Sequence, residues 1–216
     1  MTSSETTSIL ASLRFIVPQR GTSFSESLRI AELQARKLAN VIDDPYGISE
    51  HHIAAMPRIS VTYENLPVSG MSYWNGHQWV IVIASADSLA RQRFTLLHEF
   101  KHIVDHPAKA QLYTDNRRMS ASDQSEAAAD YFAGCALVGR RELKSAWGNR
   151  IQKVEDLAAH FGVSVSAIRV RLAQTGLDAI ADRLPAARCA RPISTTSGHG
   201  QRFRAVRPAY TQRSYA

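Results

Sequence analysis

The stretch FTLLHEFKHIVDH, residues 94–106, decides how the rest of the chain is read. His98 and His102 stand four apart, so on a helix they share a face, one turn above the other. Glu99 follows the first histidine and is turned about 100° from it. Two neutral imidazoles on one helical turn can reach a single divalent cation. Histidines on an amphipathic helix are also often only packed and hydrogen-bonded, so a third ligand has to decide between the two readings.

Two residues compete for that place. His106 lies four after His102, and a straight helix carries it about 6 Å further along the axis, too far for three histidines to meet one ion. The glycine-bent HExxHxxGxxH pattern that would fold a third histidine inward is not matched by Asp105-His106. His106 is therefore read as a structural or pocket-lining group. Glu126 lies on a second helical stretch, and Asp130 follows it at the same four-residue spacing. One carboxylate on the metal, with a second one a turn later orienting a ligand histidine, makes a coherent set. An HExxH helix completed in this way has the mechanics of a metallopeptidase, Glu99 taking a proton from the activated water. Tyr113 is a further candidate, as a group that polarises a scissile carbonyl.

Composition narrows the alternatives. The chain has 216 residues, 44% of them hydrophobic, an ordinary globular balance. Its longest apolar run, Trp79–Ala84, has the length of a strand and is far short of a membrane span. The start, MTSSETTSIL, shows no basic region leading into an apolar stretch, so the expectation is a cytoplasmic protein without a membrane partner. Two cysteines, Cys135 and Cys189, are too few for a disulfide framework, and Cys135 reads as core filling. The net charge of +7 resides in residues 183–216, which hold seven arginines and no acid, while the remainder carries equal numbers of acidic and basic residues. A neutral body argues against a broad nucleic-acid-binding face.

Around the histidine helix, expected over 89–105, the pattern gives a helix over 25–41, capped by Ser23 or Ser25, and strands over 58–64 and on both sides of Asn75-Gly76. The three strands are expected to be antiparallel. Alanine-rich residues 122–138 form a second long helix that packs closely on the first, capped by Ser122 or Asp123. Shorter helices follow over 140–147, 153–161 and 164–175. In the last two, Ala158, Gly162 and Val163 precede Ile168 and Leu172 with helix-turn-helix spacing, which makes Arg169 and Arg171 candidates for nucleic-acid contact. The segment 140–182 has an excess of only two positive charges, so packing or protein docking is preferred to DNA.

The stretch RQRFTLLHEFKHIVDHP, followed by SEAAADYFAGCAL, resembles the ImmA/IrrE metallopeptidases, whose usual pattern is RxxFTxxHExxH and then ExxANxFAxxLL. LPVSGMSYWNGHQWVIVIAS before it is similar to their sheet, and the likeness spans roughly 58–176. It implies His98, His102 and Glu126 as metal ligands, Glu99 as the catalytic glutamate, and zinc as the metal, with manganese as the alternative. Lys101 stands where that family often has Gly or Ala and is expected to face solvent; Asp130 stands where Asn is common. The implied activity is cleavage of a helix-turn-helix repressor, a separate chain of the same cell, in a phage-like or stress response. A DNA-binding regulator with a sensory or non-catalytic metal site is the rival reading. The expected architecture is α+β: a small antiparallel sheet on a zincin-like helix pair. Its expected parts are an N-terminal segment (1–21), a metallopeptidase core (22–139), a C-terminal helical region (140–182) and a loose basic tail (183–216).

Overall fold

The most apolar strand determines the order of the sheet. A computed structural model describes residues 8–44 and 47–177, and it contains β1 (Ile59–Glu64), β2 (Gly70–Trp74) and β3 (Trp79–Ala84) in the order β1-β3-β2. Ile81 and Ile83 of β3 have no exposed surface and Val80 and Val82 almost none, so both faces of this strand are covered and it sits in the centre. β1 and β2 each leave several side chains exposed and take the edges. The antiparallel hairpin at Asn75-Gly76 forms as expected, Trp74 facing Trp79 and Gly70 facing Ile83. The side-chain oxygen of Asn75 accepts hydrogen bonds from the backbone N–H groups of His77 and Gln78, and Gly76 takes φ 97°.

β1 departs from the expectation. It pairs with β3 in parallel, Ile59 opposite Trp79 and Glu64 opposite Ala84, so the sheet is mixed rather than antiparallel throughout. Residues 65–69 span the roughly 10 Å between the two edges, and the hairpin then returns β3 into the gap. Pairing β1 directly with β2 would have left β3, the strand with two apolar faces, at an edge.

Helix α4 (Leu89–Asp105) has the expected limits and is capped by Ser88. It crosses the sheet and packs on α6 (Ala121–Leu137), whose Ala128, Ala129 and Ala133 are fully buried. Small side chains there let helices approach closely, while Phe132 fills the core beside Phe100 at 6.3 Å between ring centres. The cap of α6 is Ser120, reciprocated by Asp123, two or three residues earlier than Ser122 or Asp123 would have set it. α2 (Phe24–Ile42), closed by the Ser23–Glu26 capping box, packs on α6 from the other side. α1 (Ile9–Arg14) inserts Leu13 into the same core, and Arg14 donates to the carbonyl oxygens of Ile103 and Val104 near the end of α4. α3 (Glu50–Ala54) leads into β1; after α4 come a 3-10 turn (His106–Ala108) containing Pro107 and α5 (Lys109–Leu112).

The C-terminal helices α7 (Arg140–Gly148), α8 (Val154–Phe161) and α9 (Val165–Thr175) contribute Leu143, Leu157 and Ile168 to that continuous core. Gly162 sits between α8 and α9 at φ 61°, a left-handed turn that suits glycine. The expected tail, 183–216, and residues 1–7 lie outside the described residues. Among the described residues no helix is long and apolar enough to cross a membrane.

Candidate metal centre

Helices α4 and α6 bring His98, His102 and Glu126 to one point. The Nε2 atom of His98 lies 3.1 Å from Glu126 Oε2 and 3.1 Å from His102 Nε2, and His102 Nε2 lies 3.4 Å from Glu126 Oε1. A tetrahedral ion with nitrogen and oxygen ligands at 2.0–2.1 Å has donor–donor edges of roughly 3.3 Å, so the three atoms have the spacing such an ion needs. The hydrogen bonding behind them agrees. Asp130 Oδ1 is 2.8 Å from His98 Nδ1 and can accept a hydrogen bond from its N–H, a tautomer that turns the Nε2 lone pair toward the Glu126 carboxylate. Two acceptors in that position call for a cation or a proton between them. Ser125 Oγ lies 3.4 Å from His102 Nδ1 and steadies the second ring. The group could therefore hold a metal.

Electrostatics separates the two imidazoles. Burial disfavours the charged form of His98, but the hydrogen bond to Asp130 and the charges of Asp130, Glu99 and Glu126 outweigh it, so its pKa is raised. His102 is lowered, first by burial and then by facing His98.

Glu99 lies to the sheet side of the histidine stripe. Its Oε2 accepts a 2.8 Å hydrogen bond from the hydroxyl of Ser72 in β2. Such a close crossing of α4 over β2 requires Gly70: a Cβ there would come within 2.5 Å of Thr95 Cγ2 and 2.8 Å of the Val82 carbonyl oxygen. Helix and strand bound an open cleft of about 390 Å³, lined by Ser69, Gly70, Arg91, Phe94, His98, Glu99, Glu126 and Asp130 among others.

Other expectations meet a different structure. Lys101 does not face solvent. It is 1% exposed, its Nζ donating to both oxygens of Asp105 at 2.5 and 2.6 Å and to Gln34 Oε1 at 2.7 Å, because α2 covers that side of α4. Burial lowers its pKa against the pull of Asp105. Tyr113 is also buried, and its hydroxyl donates to Asp105 Oδ2 at 2.5 Å, so it is tied into this ion pair instead of reaching the cleft. Burial and the Asp105 charge push its pKa up. His106 packs edge-on against Trp79 at 4.9 Å and does not line the cleft. Arg171 is 2% exposed, its guanidinium donating to the Val138 carbonyl oxygen and to Gln174 Oε1, so it is not available to nucleic acid; Arg169 is exposed on α9. Cys135 fills the core as expected, its thiol pushed up to about 11 by burial.

Ser72 and Ser125 were not singled out from the sequence. Alternation along β2 places Ser72 on the same face as Gly70, but nothing local reveals that Glu99 lies opposite it.

An α+β scaffold carrying two histidines one helical turn apart, a carboxylate from the neighbouring helix and a glutamate beside them defines a metallopeptidase-like centre. The model of the peptidase M78 family, described as the IrrE N-terminal-like domain, matches residues 58–173, more than half of the chain, and the chain belongs to that family. Membership places it with IrrE/ImmA-like metallopeptidases or regulators. Among solved structures, a Mycobacterium tuberculosis transcriptional regulator is similar at 18% identity and a TM-score of 0.47, over 76% of this chain and 51% of that one. The chain thus spans about half the length of that regulator. Curated proteins give no match.

Proposed function

We propose that this chain is a zinc-dependent metallo-endopeptidase that cleaves one protein, a helix-turn-helix repressor, and so releases phage-like or stress-response genes. The convergence of His98 Nε2, His102 Nε2 and a Glu126 carboxylate oxygen carries the reading. Two nitrogens and one carboxylate suit zinc, with manganese as the alternative. The choice of a repressor rests on the likeness to the ImmA/IrrE pattern. Residues 22–139 form the catalytic core in this reading, and 140–182 form a helical region for packing and protein docking.

When bound, the divalent ion supplies Lewis acidity, which polarises the scissile carbonyl and acidifies water. The protein does the rest. Asp130 fixes the His98 ring and Ser125 the His102 ring. Ser72 holds Glu99 through Oε2, which leaves Oε1 to accept the water proton and hand it to the departing amine. The substrate adds as an extended strand. β3 is central and has no free edge; β2, an edge strand whose Ser72 touches Glu99, takes that role. The burial of Arg171 weakens the rival reading as a DNA-binding regulator.

The test is incubation of the full chain, with zinc or manganese, against helix-turn-helix repressors encoded nearby. Cleavage is expected, and Glu99→Gln should slow it by about 10²–10⁴-fold with full metal occupancy. Undiminished cleavage by that variant would remove Glu99 from the mechanism. Absence of bound metal in the parent chain would overturn the whole reading.

A further inference from the structure

The cleft has a direction. β2 and α4 run the same way along it: Ser69 Oγ accepts from Arg91 Nε at 3.0 Å, Gly70 lies against Thr95, and Ser72 holds Glu99. Further on, Trp74 packs on Trp79, and Trp79 on His106. A strand added to β2 therefore passes Arg91 at one end, the metal ligands in the middle and the tryptophans at the other.

Among the described residues, Arg91 is the one lysine or arginine lining this cleft, whose other charged walls are Glu99, Glu126 and Asp130. Those three carboxylates are committed to proton transfer, to the metal and to His98, which leaves Arg91 as the cationic side chain of the cleft wall that can face a substrate carboxylate. The guanidinium is held in place. Its Nε is bonded to Ser69, and its central carbon stands 5.8 Å over the Phe94 ring. No hydrogen bond among the described residues engages its two terminal nitrogens, which present a ready fork to a carboxylate. Arg91 precedes His98 by seven residues, two helical turns on the same side, about 10 Å along the axis. An extended chain advances about 3.3 Å per residue, so this distance corresponds to about three residues of substrate.

Resting on the peptidase reading, we propose that Arg91 is a specificity residue that receives a substrate carboxylate about three residues from the scissile bond. The carboxylate belongs to an Asp or Glu side chain or to a chain end.

The full-length Glu99→Gln chain, zinc-loaded and immobilised, is offered two random dodecapeptide libraries, one with blocked ends and one with free C-termini. Retained peptides are sequenced by mass spectrometry. A charge-assisted fork predicts Asp or Glu enriched over Lys and Arg by about tenfold or more at one preferred position. Retention confined to the second library assigns the carboxylate to the chain end. The preference should vanish when Arg91→Ala is added and invert with Arg91→Glu. It should weaken with Arg91→Lys, which keeps the charge but loses the fork. Zinc content and melting temperature are measured on each variant, so a purely structural role would be seen as a fall in stability with the peptide preference intact. Peptides retained without acidic preference, or a preference that survives Arg91→Glu, overturn the assignment and leave the peptidase reading standing. If the zinc-loaded chain retains no peptide from either library, the assignment falls, while the peptidase reading is decided separately by cleavage of the repressor.

Discussion

Helix α4 carries two side-chain pairs at the same four-residue spacing, and their surroundings could hardly differ more. His98 lines an open cleft, and beside it the Nε2 atoms of His98 and His102 meet the Glu126 carboxylate. Lys101 and Asp105 face α2 and Tyr113 instead, and each finds a partner: Nζ on Asp105 and Gln34, and Asp105 Oδ2 under the Tyr113 hydroxyl. One pair, together with Glu126, could hold a cation. The other brings its own cation and is closed. A cluster of acceptors is therefore informative only together with what faces it, and only the first cluster lacks a counter-charge of its own.

This contrast can be broken from either side. Lys101→Ala leaves Asp105 buried and uncompensated, and should cost about 3–5 kcal/mol in denaturant unfolding with zinc stoichiometry unchanged. Replacing Lys101 and Asp105 together by Met and Leu should recover most of that loss; if it does not, the pair is more than a self-compensating unit. On the other side, Glu126→Ala should weaken zinc binding by more than about 100-fold, since even indirect supports of a metal site are worth 10–100-fold. Metal analysis after dialysis reads this, and full occupancy would reject Glu126 as the third ligand. Asp130→Ala removes only the support behind His98 and should weaken zinc by about 10–100-fold in a competition with a chromophoric chelator. The smallest change sharpens the assignment of Tyr113. Tyr113→Phe deletes one hydrogen bond to Asp105 and should destabilise the chain by about 1–3 kcal/mol. Cleavage per metal-loaded molecule should be unaltered, and a fall in turnover at constant stability would return Tyr113 to the cleft.

Much of the site was legible because it is local. The His98–His102 spacing needs only a helix, and the limits of α4 follow from Ser88, the apolar period and Pro107. Glu126 with Asp130 was legible by the same four-residue logic, on a second helix whose alanines announce close packing. Lys101 was misread for a physical reason. Its angular offset from His98 is about 60°, and whether that direction is solvent or protein depends on where α2 lies, a contact between residues 67 positions apart. The parallel pairing of β1 was hidden likewise, since local pattern gives the strands but not which one takes the centre. Arg171 is exposed by its place in a helix-turn-helix pattern and buried by α6 and Val138, which pack over it.

The chain alone determined the longer helices, the strands, the hairpin and the candidate metal-ligating side chains, because backbone periodicity and capping act over a few residues. Tertiary packing alone decided which polar groups of α4 are left without a partner, because desolvation and ion pairing depend on what the distant segments α2, α6 and β2 place opposite them. It also put Ser72 on Glu99 and made β2 the free edge beside the cleft, both consequences of burying the most apolar strand in the middle of the sheet.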